Sequence, residues 1–567
     1  MADVTISSLN DQNTLSGSEF FPIVKDGYTL RTSVSTIRLA DNLDLNAANI
    51  TSNAITTKSI NIQNQFVNGA ILSGTNNCFT SGAVQSVDSS IAGGFGNYIK
   101  GERSFIGGGC CNRAYDMNCG VIAGGDCNVV QDSDRIFIGS GCGHNILCNS
   151  DCSSIVGGCQ NLIHSRDSGI LGGSFNCVCA TRSGIVGGFG NKINNSYSFI
   201  GTGRNNSLSS AQSFVATGNC NKIEACVYNN IVNGDRNIIE GSFSTKSAII
   251  NGYKNSISGS CHFIGTGRLN KINTDYGTHG IIIGGACNNI RGDVRFSTKY
   301  NTIINGNNNF INGGNNFIGS GIKLRLSGND SFMGSGIYNT ISGSNNFIGG
   351  GANNSLTGSC NFIGGGSCNK ISNAGSANIN QGNVVAGGIS NKTYGFFNVI
   401  VGGFCNTLSA SQCNNIIVGG RCNDVNACGY NFIGGGQLNC INGGDACFSS
   451  ILGGDRNINL SVHSSIIGGK HNSLSAGASY SFIAPGSGNV VKAENSAILG
   501  GTNNTIDSNH RSSFIIGTGL TTVGASAVHV NTLSAFDSIH AENGINFTGA
   551  IAGCTFTIVN GIITNIS

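Results

Sequence analysis

Twenty-eight times between Ile71 and Thr522 the chain sets an aliphatic residue, then a glycine three places later, and that glycine is never replaced. With the anchors on Ile71, Ile91, Ile106, Ile122 and onward through Ile498 and Ile516, the plus-six residue is asparagine in 25 repeats; His144, Leu324 and Thr522 are the exceptions. Thirteen of the 27 spacings between anchors are 15 residues, the others run from 16 to 22, and none is shorter. A strict floor with variable additions is the mark of a solenoid: 15 residues close one coil, and the surplus swells one corner as loops.

Each coil reads as short strands joined by tight corners. An apolar pair followed by glycines and an asparagine predicts a brief strand and then a bend, glycine and asparagine being the residues that best accept positive φ. Apolar residues at plus eight, such as Ile193, Leu208, Ile223, Ile257, Ile341 and Ile371, supply a second strand. Stacked in parallel register at about 4.8 Å per coil, the repeats predict an all-β, parallel β-roll or β-solenoid rod on the order of 130 Å long. Helix is expected to play almost no part, because no window keeps a 3.6-residue period and glycine interrupts nearly every ten residues.

The residues flanking the anchor share one face of its strand, opposite to the anchor itself. Phenylalanine stands at minus one in eleven coils, namely Phe105, Phe137, Phe199, Phe214, Phe263, Phe317, Phe332, Phe347, Phe362, Phe432 and Phe482, and there plus one is always glycine or alanine. Where minus one is small or polar, as at Ser154, Gly169 or Ser450, plus one is apolar, as at Val156, Leu171 or Leu452. Size exchanged between two sites at constant volume is the behaviour of a packed interior. Both faces of the strand are therefore expected to be buried. A thin solenoid has one inside, so the second face calls for self-association along the rod, with a homotrimer as the expected form.

Composition points to a structural rod rather than an enzyme. Glycine fills 88 of 567 positions, prolines number two, tryptophan is absent, and only 10% of residues are charged. A net charge of +3 with no basic run gives no field for nucleic acid. No apolar stretch approaches a helical membrane span, so membrane insertion is not expected. The opening MADVTISSLNDQ has no basic region before an apolar core, so the chain is expected to be made in a cytoplasm without a secretory signal. Its 27 acidic residues form no dyad recurring at fixed phase, and its nine histidines show no ligand spacing, so no catalytic residue, cofactor or metal is assigned.

Of the 24 cysteines a subset falls at plus four or plus five as corner residues, with Cys111 and Cys127, Cys142 and Cys159, and Cys405 and Cys422 in matching positions of neighbouring coils. They are expected to stack as small buried hydrophobes, with disulfides between coils as the alternative.

Both ends leave the repeat. Residues 1–41 contain Ile6-Ser7-Ser8-Leu9, Leu15-Ser16-Gly17-Ser18-Glu19, Pro22-Ile23-Val24 and Gly27-Tyr28-Thr29-Leu30-Arg31, with a turn expected at Lys25-Asp26-Gly27. This stretch resembles the segment that opens many bacteriophage tail-fibre and appendage proteins, where it implies docking to a tail or baseplate protein of the virion. The repeats, over about 450 residues, resemble the head of YadA-like trimeric adhesins, which implies a left-handed parallel β-roll and a homotrimer. Those adhesins carry an extended signal peptide, a coiled-coil stalk and a membrane barrel, and this chain is expected to lack all three.

Residues 42–70 read as a connector. Residues 71–524 are the repeats and 525–567 a β cap or tip, in which Phe536, His540 and Phe547 are the candidate contacts for a host surface receptor, glycan or protein. Together these readings predict a phage virion fibre for host attachment. The runner-up is a bacterial trimeric surface adhesin or extracellular filament exported by a nonclassical route.

Overall fold

The computed structural model describes residues 70–79 and 88–531, except short insertions at 275–277, 293–298, 373–381 and 410–412, together with strands Phe21–Lys25, Tyr28–Thr32, Phe547–Ile551, Cys554–Val559 and Ile562–Ile566. The described residues are all-β, in a parallel β-solenoid of about 26 turns with roughly 16 residues per turn.

Every coil but the last contributes one short strand to each of two parallel sheets. In the anchor sheet Ile185 lies beside Ile170 and Ile200, and in the second sheet Ile193 lies beside Val178 and Leu208. Insertions do not disturb this register. Across the 22-residue spacing Ile363 pairs with Val385 and Ile371 with Thr393, so the surplus residues follow the plus-eight strand. A third ladder of isolated bridges joins the plus-four residues, for example Ser174 to Phe189 to Arg204.

Glycine is invariant at plus three for a reason outside its own coil. Gly188 has φ +95°, and a Cβ there would overlap the Gly203 carbonyl of the next coil and the Asn191 amide. The plus-six asparagine has a different role from the one expected of it. Left-handed backbone falls at plus five and minus three instead, as at Cys111 (φ 58°) and Arg103 (φ 51°). The asparagine is buried and links coils. Asn191 donates from Nδ2 to the carbonyls of Gly187 (3.0 Å) and Gly203 (2.9 Å), while its Oδ1 accepts the backbone N–H of Asn206 at 3.0 Å. Repeated coil after coil, these bonds form an internal amide ladder that satisfies buried backbone groups which strands two residues long leave unpaired.

His144, which breaks the asparagine rule, keeps its chemistry. Nε2 lies 3.1 Å from the Ser140 carbonyl and Nδ1 accepts the N–H of Asn161 at 3.2 Å, an arrangement that needs the neutral ring protonated on Nε2. Burial accordingly holds its pKa below the ordinary value. Leu324 breaks the ladder, since its side chain has no acceptor for the N–H of Asn339.

A second polar ladder runs at minus two. Ser168 donates its N–H to Ser153 Oγ at 3.1 Å, and farther along Asn316 donates to Asn301 Oδ1 at 3.1 Å. His262 takes this position in its coil, accepting the N–H of Gly280 on Nδ1 at 2.9 Å with Nε2 2.6 Å from Thr274 Oγ1. The core is thus two apolar columns, the fully buried anchors and the plus-eight residues, separated by two polar ones.

At the C-terminal end the anchor shifts by one residue. Ile515, not Ile516, pairs with Ile498 and is buried, while Ile516 is exposed. The anchor sheet also runs past residue 524, since Val528–Val530 adds a further parallel strand beside Phe514–Ile516. Phe547–Ile551, Cys554–Val559 and Ile562–Ile566 form a separate antiparallel sheet. Near the start, Phe21–Lys25 pairs antiparallel with Tyr28–Thr32 and Lys25 stands opposite Tyr28, while Asp26 and Gly27 of the expected turn lie outside the described residues.

Candidate functional site

Among the described residues no group of three or more His, Cys, Asp or Glu side chains is placed to hold a metal ion, and no helix is long and apolar enough to cross a membrane. Two concavities are shallow open grooves. One is lined by Ser209, Glu224, Ala225, Cys226, Gly241 and Ser242, the other by Asn308, Phe310, Lys323, Arg325, Tyr338 and Thr340. Neither pairs two carboxylates. The features with chemical consequence are the outer faces of the two sheets.

The anchor sheet turns minus one and plus one outward. Phe137 is 43% exposed and Leu171 54%; Phe105, Phe199, Phe332 and Phe362 are likewise exposed, and Phe263, Phe317, Phe347 and Phe432 are half-buried. Phe317, Phe332, Phe347 and Phe362 stack in a column with successive ring centroids 5.0 Å apart and planes within 7°. The expectation that both strand faces are buried therefore does not hold within one chain.

Part of the size exchange that motivated that expectation has a cause within the chain. A Cβ on Gly107 would overlap the Ala123 carbonyl oxygen of the next coil and come 3.4 Å from Phe105 Cε1, and one on Gly364 would overlap the Ala386 carbonyl oxygen and come 3.3 Å from Phe362 Cε1. Beside these phenylalanines glycine at plus one is thus favoured within the chain, chiefly by the carbonyl of the next coil and to a lesser degree by the ring.

Two other observations set this face apart. None of the 28 coils carries a charged residue at minus one or plus one. An uncharged apolar strip along an entire rod far exceeds the exposed patches that soluble monomers tolerate. Beside it, plus two is glycine in sixteen coils, and serine, threonine, asparagine or a single proline in the rest. That smallness is not imposed from within. At Gly108, Gly124, Gly172, Gly187, Gly365, Gly387, Gly402, Gly419, Gly435 and Gly453 an added Cβ would meet nothing within 4 Å, and φ is not left-handed.

The second sheet turns a different surface outward. Its plus-seven column includes Arg113, Lys192, Lys222, Lys271, Arg325, Lys370 and Lys392, mostly exposed, with Lys370 directly beside Lys392. Lys222 is paired with Glu224 at 2.7 Å.

A third surface feature lies at the minus-three corner, where Tyr430, Phe448, His463 and Tyr480 stack at 4.9, 4.9 and 5.0 Å while remaining exposed. Sequence reading did not single them out, although their shared phase relative to the anchor was the available signal.

None of the cysteines among the described residues is buried. Cys119, Cys127, Cys142, Cys152, Cys360 and Cys368 are exposed, and Cys111, Cys159, Cys405 and Cys422 are partly so. The corner backbone directs these side chains outward, and the interior beside them is already filled by the asparagine ladder. Cys428 and Cys447 form a disulfide with a Cα separation of 5.0 Å. Of the candidate receptor contacts, Phe536 and His540 lie outside the described residues, and Phe547 opens a described strand whose side chains are not described.

No family model matches the chain, and no curated protein is significantly similar to it.

Proposed function

We propose that the chain is the structural fibre of a phage virion, a homotrimeric rod that mediates attachment to the host cell surface. The observation that carries the reading is the uncharged outer face of the anchor sheet, open in one chain and bordered by a column of small residues. A strip that long needs a partner of equal length and equal 4.8 Å period, and another copy of the same chain supplies both. Mutual covering of three such strips leaves the basic, polar second sheet as the solvent face. The phage assignment rests on residues 1–41, which resemble the opening segments of tail fibres and supply the docking end. Multivalent display of several fibres converts modest site affinity into firm attachment through effective concentration.

The test is to remove residues 1–41 and to label the C-terminus in parallel. The truncated chain should form soluble rods that bind cells but no longer join particles, and the label should appear at the distal end of a virion appendage. Incorporation of the truncated chain would overturn the docking role. A label found on bacterial surfaces rather than on particles would replace the phage fibre with a bacterial filament.

A further inference from the structure

We propose that Cys142 with Cys159, and Cys405 with Cys422, are disulfide staples that tie one turn of the rod to the next, as Cys428 with Cys447 does. Cys142 and Cys159 occupy plus four on consecutive coils and face each other across a parallel bridge. Cys405 and Cys422 occupy plus five on consecutive coils, and in each of the two pairs desolvation, and then the nearness of the partner thiol, raises the pKa of the first thiol. The Cys422 N–H donates to the Phe404 carbonyl at 2.8 Å, which fixes its coil against the one that carries Cys405.

Neighbouring rungs lie about 4.8 Å apart, inside the Cα range that a disulfide accepts. All four thiols are at least partly exposed, so a small oxidant reaches them. Cys111 and Cys127 also occupy plus five on consecutive coils, but Cys111 Sγ is turned to Cys110 Sγ of its own coil, 3.3 Å away. Two other close pairs do not span two coils. Cys110 and Cys111 lie 3.3 Å apart and Cys177 and Cys179 3.2 Å apart, but each pair belongs to a single coil, and closing it joins no turn to another.

Oxidation needs an acceptor, and a small-molecule disulfide serves. One thiolate of the pair attacks it, forming a mixed disulfide and releasing one small thiol. The second cysteine then displaces the other, so that two protons and two electrons leave the pair and two small thiols depart. Each staple encloses a full turn of 17 residues, counted from Cys142 to Cys159 and from Cys405 to Cys422. A solenoid fails by parting neighbouring coils. A covalent bond across the boundary blocks that opening, and on loop-closure grounds it makes local parting on the order of a hundredfold rarer.

The intact chain is incubated with oxidised glutathione, alkylated, digested without reduction and mapped by mass spectrometry. Linked peptides containing 142 with 159 and 405 with 422 are expected beside 428 with 447, with Cys177 and Cys179 recovered alkylated. Thermolysin cleavage within residues 138–159 should slow on the order of a hundredfold on oxidation, and the double variant Cys142→Ser with Cys159→Ser should show no such change. The proposal is overturned if both pairs are fully alkylated while 428 and 447 are linked, or if these cysteines are joined to a second chain.

Discussion

The two sheets of this rod share the same coils, the same short strands and nearly the same interior, and they differ only in what they turn outward. The anchor sheet presents phenylalanine, leucine, valine and isoleucine without a single charge at minus one or plus one, while the second sheet mixes polar and apolar residues at plus seven with lysine or arginine in seven coils. Backbone pairing cannot account for that difference, because both ladders are equally regular. The environment each face meets can. A face that meets water tolerates and collects charge, whereas a face closed by another chain excludes it. The contrast is the physical content of the trimer proposal, and it can be broken from either side.

The largest effect is expected from Phe347→Asp, which places a charge in the proposed dry seam. Its cost is about 3 kcal/mol or more at each of the symmetry-related copies, enough to split the assembly in sedimentation velocity. Lys370→Asp, the matching change on the second sheet, should leave the sedimentation coefficient unchanged. If both variants dissociate, or neither does, the two faces are not different in kind.

Asn191→Ala comes next, since the interior serves both faces equally. It strands the N–H of Asn206 and removes two donors from the carbonyls of Gly187 and Gly203, at about 2–4 kcal/mol. Hydrogen exchange should accelerate on both sheets of that coil together. Acceleration confined to one sheet would contradict the ladder.

Protonation of His262 should act on the same scale. Burial, with a smaller contribution from His279, lowers its pKa to about 4, against an ordinary value of 6.5. The folded pKa is depressed, so its stabilising contribution is complete above pH 6.5 and is lost as pH falls through about 4. The full loss is on the order of 3 kcal/mol. Protection factors in residues 249–274, taken relative to the intrinsic exchange rate at each pH, should fall between pH 7 and pH 4. His262→Asn, which restores the residue type used at this phase in Asn301 and Asn316, should flatten that dependence.

Gly187→Leu sharpens the comparison further. In one chain a Cβ at this position meets nothing within 4 Å, so the folded monomer should tolerate the change within about 0.5 kcal/mol. In the trimer the same side chain overpacks the seam and should weaken association by about 1–3 kcal/mol. An unaltered association constant would show that nothing approaches that corner. The smallest effect belongs to deletion of residues 374–380, which shortens an insertion beyond the plus-eight strand and should change stability by less than about 1 kcal/mol.

The coil, its 15-residue floor, the parallel register and the place of the insertions were legible in the sequence, because a single aliphatic-to-glycine period dictates all of them. The use made of two positions was not. Asparagine at plus six was read as a bend residue, since its tolerance of positive φ is a local property. Its actual role depends on what the next coil offers, and only stacking reveals that Asn191 bonds to Gly203 and Asn206. His262 was missed for the same reason. The exchange between phenylalanine and glycine was visible as a pattern, but the part played by the next coil was not: a Cβ on Gly364 would overlap the Ala386 carbonyl oxygen, a contact that only stacking reveals. The cysteines were placed inward by their hydrophobicity, although the left-handed corner turns them out. Side-chain direction at a corner follows backbone dihedrals that residue type alone does not reveal.

The most direct test of the central claim is the mass of the intact chain in solution at micromolar concentration, measured by sedimentation equilibrium. The account predicts a particle of three times the 58.1 kDa chain mass that does not dissociate on dilution. A well-folded monomer of 58.1 kDa, with its anchor-sheet face open to water, would contradict it.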